Sequence, residues 1–302
     1  MDNACFYEVT DKYQHMKSLI PISNEKYIYH YTSSQGLLGI IENGKLRFSD
    51  RNFLNDKSEG NYVLDLIIKN IDSICPKNPE FKKELVRSCI AERQRYIKRQ
   101  FHTYQCSFSI DKDNLSLWNY YTKGDSIKGY NIQFDTEKLI ASVINEESIK
   151  DGIEFQTIHG RVVYDEKEQI NILRKTVDYF YDTYEKYHTD LDNISFAIVM
   201  KAMAFGRFFK MGYFSVENEY RISFETHLAS MKDKGIADRE YFREINGYYV
   251  PYIENYFSLD SLISVTMSPT LDYTLTETSL KRLFQGKNKD IAINKSDIPV
   301  RY

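Results

Sequence analysis

This chain predicts an α+β fold, a mixed β-sheet core carrying helical insertions, on three observations. Short β-branched and aromatic runs with period-two alternation recur from Tyr27 to Ile293, the spacing of half-buried strands. Between them lie two longer stretches, at about residues 58–101 and 166–210, whose apolar residues fall on one face of a helix. Finally, 42% of the 302 residues are hydrophobic and only 6 are proline and 13 glycine, which leaves ample apolar surface for a core and little material for long flexible connections. With no repeat, low-complexity tract or linker in view, the reading is a single domain over residues 1–302, its core elements running from about 25 to 295.

The elements follow in order. Tyr27 to Tyr31 reads as the first strand, Ser33 or Ser34 caps a short helix carrying Leu37, Leu38, Ile40 and Ile41, and Asn43-Gly44 stops it. Lys45 to Ser49 reads as a second strand, and the polar loop DRNFLND leads into a helix with Val63, Leu66, Ile67, Ile71 and Ile74 on one face. The turn from Cys75 to Pro79 opens a helix from about Phe81 to Phe101, with Val86, Ile90, Ile97 and Phe101 expected on its apolar face. Strand returns from Gln105 to Ser109, a short aromatic helix (LSLWNYYTKG) ends at Gly124, and Tyr130, Ile132 and Phe134 alternate in the next strand. Another strand ends at Val162-Val163-Tyr164. Asp165 with Glu168 resembles a capping box, opening a helix with Ile170, Leu173, Val177, Phe180, Tyr184 and Tyr187 at heptad-like spacing. The next helix, about Ile194 to Phe209, is apolar nearly all round and so is expected to be the most buried. A strand from Val216 to Glu225 follows, and strands at Leu262 to Met267 and Asp290 to Ile293 flank a last helix near Lys281.

Charge and cysteine usage bound the function. Lysine plus arginine total 40 against 43 aspartate plus glutamate, a net charge of −3, so there is no global pull toward nucleic acid. The densest basic run, Arg87, Arg93, Arg95, Lys98 and Arg99, reads first as a solvated helix face and second as a phosphate-tracking surface. Cys5, Cys75, Cys89 and Cys106 form no C-x-x-C pair and no histidine completes a zinc site, so reduced thiols in a cytoplasmic protein without a metal are expected. No secretory leader follows Met1, and no stretch reaches the roughly eighteen apolar residues of a membrane span. P-loop, Rossmann, H-E-x-x-H, G-x-S-x-G and kinase patterns are missing, which counts against those enzyme classes.

The strand from Val216 to Glu225 sorts by parity: Val216, Tyr220, Ile222 and Phe224 point one way, and Glu217, Glu219, Arg221, Ser223 and Glu225 the other. A half-solvated antiparallel strand explains this without any function. The functional alternative is a cleft in which Arg221 keeps one carboxylate ionised while the other orients a sugar hydroxyl or stabilises developing positive charge. His30 shares a strand face with Ile28 and Thr32 just before a helix N-terminus, a place that favours anions such as a pyrophosphate. A lone strand histidine is nonetheless more often a satisfied core residue. Asp56 reads as a helix cap, and Asn55 and Glu59 stay open. Trp118 and Tyr121, at i and i+3, are either core or an aromatic wall on which a nicotinamide or a base stacks.

Taken together, Tyr29-His30-Tyr31-Thr32, Asn55-Asp56 with Glu59, Cys106-Ser107-Phe108-Ser109, Leu117-Trp118 with Tyr121, and Glu217-Asn218-Glu219-Tyr220-Arg221 resemble a bacterial family of domains of unknown function, as does the ending LISVTMSPTLD, helix, IAINKSDIPVRY. The opening YIYHYTSSQGLLGIIENGKLRFSD is also similar to that of ADP-ribosyltransferases, notably DNA-modifying toxins and RNA 2′-phosphotransferases. That second resemblance implies an ADP-ribosyltransferase-like sheet core and NAD as substrate. It implies a first-strand histidine at the NAD ribose (His30), a middle element of Ser107 and Ser109 or Tyr121, and a catalytic glutamate at Glu219, with Glu217 as its neighbour. Tyr31, Thr32, Asn55, Trp118 and Arg221 would complete the NAD site.

The expectation is therefore an NAD-consuming enzyme that cleaves the nicotinamide glycosidic bond through an oxocarbenium-like transition state held by Glu219. The acceptor is a protein, a nucleic acid or water, and the toxin-like resemblance implies a role in phage defence or growth arrest. The alternative is a module that senses a nucleotide or a nucleic-acid end without turnover.

Overall fold

The computed structural model describes residues 25–54, 61–76, 78–97, 101–122, 128–143, 156–187, 190–227, 240–245 and 247–300. It opens with β1 (Tyr27–Thr32), α1 (Ser34–Asn43) and β2 (Lys45–Asp50). Ser33 caps α1 by accepting from the Gly36 N–H, and Gly44 ends it in the left-handed region at φ 61° with its N–H on the Ile40 carbonyl, where a side chain would strain. Gly36 is tight for a different reason: a Cβ there would lie 2.1 Å from Thr32 Oγ1, so that hydroxyl would have to turn away. The N-terminus of α1 is thus capped by its own serine.

Helices α2 (Tyr62–Lys69), α3 (Ile71–Ile74) and α4 (Pro79–Ile97) come next, the first two separated at Asn70. α4 stops before Phe101, which starts β3 (Phe101–Ser109). Its buried stripe is Phe81, Leu85 and Cys89, while Ile90 is 47% exposed. The expected stripe through Val86 and Ile90 is off because α4 turns the adjacent i, i+4 row toward α2 and toward α8, described below. Then follow α5 (Leu115–Tyr121), β4 (Tyr130–Asp135), α6 (Thr136–Val143), β5 (Gln156–Arg161), α7 (Glu166–Tyr187) and α8 (Leu191–Gly206). The chain finishes with β6 (Glu219–His227), β7 (Tyr241–Ile245), β8 (Tyr248–Tyr256), β9 (Leu262–Met267), α9 (Tyr273–Gln285) and β10 (Ala292–Lys295).

The described strands form one 10-stranded sheet, β10-β9-β4-β1-β3-β2-β8-β7, with β6 also on β3 and β5 outside β6. Every pairing is antiparallel except β10 with β9. β6 runs along β3 from Phe101 to Ser109, so β1 and β2 share the other edge of β3. β1 meets it at Ser109, and β2 at Gln105 and Tyr104. Between those points the sheet forks. One apolar core fills the fork, with Ile28, Phe48, Phe108, Phe134, Ile222 and Ile253 from the strands and Leu37, Leu139 and Phe284 from α1, α6 and α9.

A second core is helical. Val63, Leu66 and Leu85 from the earlier insertion pack with Val177, Phe180, Ile198 and Phe205 from the later one, so two segments far apart in sequence share one layer. Ile158 of β5 packs against this layer and lies directly opposite Ser223 of β6. Side chains of directly paired residues share a face, so the helices cover the side of β6 that carries Ser223. No helix among the described residues is long and apolar enough to cross a membrane.

Candidate functional site

The late strand departs from expectation at its start. Gly212–Glu217 is a 3-10 helix, Asn218 sits in the left-handed region at φ 42°, and β6 begins only at Glu219. Asparagine tolerates that conformation, and its side chain is fixed by a 2.9 Å bond from Nδ2 to Asp111 Oδ1 and by Arg161 Nη2 at 3.3 Å. The turn swings Glu217 back beside Glu219, while Val216 is exposed.

From Glu219 onward the alternation holds, but neither face is solvated. Tyr220, Ile222 and Phe224 enter the apolar core, and Glu219, Arg221 and Ser223 are 4%, 1% and 0% exposed. This corrects both the half-solvated strand and the open cleft: the helical layer lies over the polar side. Arg221 grips Glu219 with two bonds, Nε to Oε1 at 2.7 Å and Nη2 to Oε2 at 2.8 Å, and donates Nη1 to the Arg207 carbonyl at 2.7 Å. Lys210 Nζ lies 2.7 Å from Glu217 Oε2 and 3.5 Å from Glu219 Oε2. Tyr164 accepts the Glu219 N–H at 3.0 Å. Burial pushes the Glu219 carboxyl up, but Arg221 and Lys210 outweigh it and hold it down to about 2. Burial pushes Glu217 the other way, above its ordinary value, against the pull of Lys210. The phenols of Tyr121 and Tyr164 are raised by burial and then by these two carboxylates, which sets both beside the cluster.

Lys210 was missed by the sequence reading, and its signal was there. It stands in Arg207-Phe208-Phe209-Lys210-Met211, two cations in an otherwise apolar run, and a buried charge demands a partner. It is set by a bridge between Val163 and Phe209 and by Gln169, whose Nε2 donates to the Val163 and Lys210 carbonyls at 2.6 and 3.0 Å.

The remaining expected residues divide. His30 is not in this cluster. Tyr29 pairs with Ser109, and Ser109 with Glu219, so His30 points to the opposite face, where its ring packs on Phe108 with centroids 5.4 Å apart. His30 Nδ1 lies 3.0 Å from the Ser107 carbonyl. That oxygen can only accept, so Nδ1 carries the hydrogen, and burial lowers the imidazole pKa and keeps it neutral. The histidine satisfies a carbonyl left unpaired where the sheet forks. Thr32, of the same parity, lies at the β1–α1 junction.

Trp118 is fully buried, edge-on to Tyr31 at 4.9 Å, with its N–H on Asp113 Oδ1 at 2.6 Å. It is core and not a wall for a ring, unlike Tyr121, which is 37% exposed. Tyr31 donates to the Asp111 carbonyl and accepts the Asn114 N–H, and Ser109 Oγ donates to the Glu217 carbonyl at 2.9 Å; both latch loops. Ser107, opposite Arg221, is on the cluster's face. Asn55, Asp56 and Glu59 lie outside the described residues, as do Lys98 and Arg99. Arg87 pairs with Glu84 and Asp192, Arg93 with Asp65 and Arg95 with Glu92, a solvated face whose charge is largely answered. An open groove of about 690 Å³ lined by Lys138, Ala141, Ser142, Ser258 and Asp260 shares no residue with the cluster.

A family model described as "Protein of unknown function (DUF2971)" matches residues 117–222, about a third of the chain. The matched span holds Tyr121, Tyr164, Lys210, Glu217, Glu219 and Arg221, and it supports the expected link to a family of domains of unknown function. No curated protein and no solved structure matches the chain.

Proposed function

We propose that this chain is a nucleotide-binding module, with NAD the first ligand to test, and that Glu219 is part of a rigid frame and does no chemistry. The nucleotide part of this reading follows from the resemblance of the opening YIYHYTSSQGLLGIIENGKLRFSD to ADP-ribosyltransferases, and the non-catalytic part is carried by the engagement of Glu219. Both of its oxygens are already engaged by Arg221 and Lys210 in a buried cluster. A ribose hydroxyl would have to enter a cluster in which Glu219 is 4% exposed and already accepts three charged hydrogen bonds, which leaves it little to gain there. Without His30 beside it, the cluster also lacks the partner that the ADP-ribosyltransferase resemblance implies.

The nucleoside-cleaving reading keeps one point in its favour. Tyr121 brings a partly exposed ring to the two carboxylates, and it is there that a nicotinamide ribose would approach Glu217. Incubating the pure protein with NAD, with and without lysate, while following binding by calorimetry and free nicotinamide by chromatography, separates the two. Saturable binding without release supports the module. Release that disappears in Glu217→Gln or Glu219→Gln overturns it in favour of an NAD-consuming enzyme, and no binding at all sinks both.

A further inference from the structure

The polar face that holds Glu219 and Arg221 continues one row further into the sheet, and there its groups are not saturated. Ser49 of β2, Gln105 of β3 and Ser223 of β6 face one another directly across three adjacent strands. Gln105 is 3% exposed, yet neither its amide nitrogen nor its amide oxygen has a hydrogen-bond partner, and the fully buried Ser223 Oγ has none either. Buried amides are rarely left this way, because each unmade bond forfeits the group's hydration.

Arg243 of β7 reaches over β8 onto this row. Its Nη2 donates to Ser49 Oγ at 2.8 Å and its Nε is buried without a partner. Among the described residues no carboxylate pairs with it. Burial first, and the like charge of Arg47 second, lower its pKa. Tyr241, two residues before Arg243 and on the same face, is 46% exposed and flanks Tyr252 at 5.7 Å. A guanidinium with no counter-ion among the described residues, a carboxamide offering an adjacent donor and acceptor, a hydroxyl and a flanking aromatic thus lie along one line. With strands 4.7–4.9 Å apart, the row from Ser49 to Ser223 spans about 10 Å, the scale of one nucleotide.

We infer that this row is the nucleotide site: Arg243 takes a phosphate, and Gln105, with Ser223, reads the donor–acceptor edge of an adenine-type base. Guanidinium–phosphate pairing and the two-bond match between a carboxamide and adenine are the chemistries these groups perform elsewhere. Arg243, held to the row among the described residues by one bond to a neutral hydroxyl, is the side chain that moves outward to admit the base. The inference rests on the nucleotide-binding reading and adds the location and the ligand class. The phosphate belongs either to a free nucleotide or to the end of a single strand.

The test is calorimetry on the full chain with AMP, adenosine, inorganic phosphate, NAD and a 5′-phosphorylated oligoadenylate, using the wild type, Arg243→Ala and Gln105→Leu. Gln105→Leu replaces the unpartnered amide by an apolar group of similar shape, so it should fold at least as stably as the wild type. We expect AMP to bind the wild type, Arg243→Ala to weaken AMP at least tenfold while adenosine binds at least as tightly as to the wild type, and Gln105→Leu to lose adenosine and AMP with no fall in Tm. Oligoadenylate binding tighter than AMP, with the same Arg243 dependence, assigns a strand end; the reverse order assigns a free nucleotide. AMP or NAD binding that is untouched in both variants overturns this site and leaves the nucleotide-binding reading standing. A wild type that binds none of the probes overturns both.

Discussion

Tyr220, Ile222 and Phe224 on one face of β6, and Glu219, Arg221 and Ser223 on the other, are equally shielded from water, yet they are held by different forces. The first three join an aromatic and aliphatic core whose stability grows with the apolar area removed from water. On the second face, Glu219 and Arg221 are held by a few directional bonds that must offset the loss of hydration of two full charges, while the Ser223 hydroxyl is buried without a partner. The difference teaches that alternation in a strand reports which residues share a face and not which face meets solvent. It also teaches where the molecule is brittle: an apolar face relaxes around a defect, whereas an ion cluster that loses one member keeps an unanswered charge.

The sharpest way to break the comparison is Glu219→Ala, which strands Arg221 and should cost about 3–5 kcal/mol, read from the shift in the urea midpoint. A midpoint equal to the wild type would mean the cluster does not bear on stability. The pH dependence separates the two carboxylates. Glu219 is held at about 2 against an ordinary 4.5. A depressed folded value means its contribution, on the order of 3 kcal/mol, is whole above about pH 4.5 and is lost as the pH falls through 2. Glu217, with a raised value, carries the opposite sign: its contribution is whole at low pH and fades as the pH rises past the ordinary carboxyl value. Urea midpoints between pH 2 and 6 should therefore show an acid limb that Glu219→Gln flattens and Glu217→Gln does not.

On the apolar face, Ile222→Ala should cost about 2–4 kcal/mol, with no change in that acid limb. The smallest effect concerns the histidine at the fork. His30→Phe keeps the ring packing on Phe108 and leaves the Ser107 carbonyl without its donor, for about 1–2 kcal/mol. It should leave NAD or AMP affinity unchanged, and a tenfold loss of affinity in this variant would return His30 to the binding site.

Much of the fold was legible because local rules governed it. The Gly44 stop, the Asp165 cap, where Oδ1 accepts the Glu168 N–H at 2.8 Å, and the strands β1, β2, β4 and β9 sit within a residue or two of their expected places. α4 was misread because two apolar rows compete on it, and only the partner helices decide between them. The parity of the polar face was legible in β6, whereas its continuation through Thr103, Gln105, Ser107 and Ser109 of β3 emerges only from the register of the two strands. What sequence could not convey is tertiary. A covering layer built from two distant insertions buries that face, and the fork between β1 and β2 turns His30 away from it. Trp118 shows the same limit: i, i+3 spacing puts it on the face of Tyr121, and only Asp113 and Tyr31 reveal that it is anchored inside.

The shared helical layer has a consequence for synthesis. The stripe of Phe81, Leu85 and Cys89 on α4 leaves the ribosome well before Val177, Phe180, Ile198 and Phe205, which are its partners. At about 5–20 residues per second, the intervening hundred or so residues take roughly 5–20 s. For that interval the nascent chain carries a greasy, unmated helical hairpin, the kind of surface that holdase chaperones retain and that associates with its own copies when translation is crowded. Expression yield should accordingly respond to chaperone supply and to the pace of elongation more than to the stability of the finished protein.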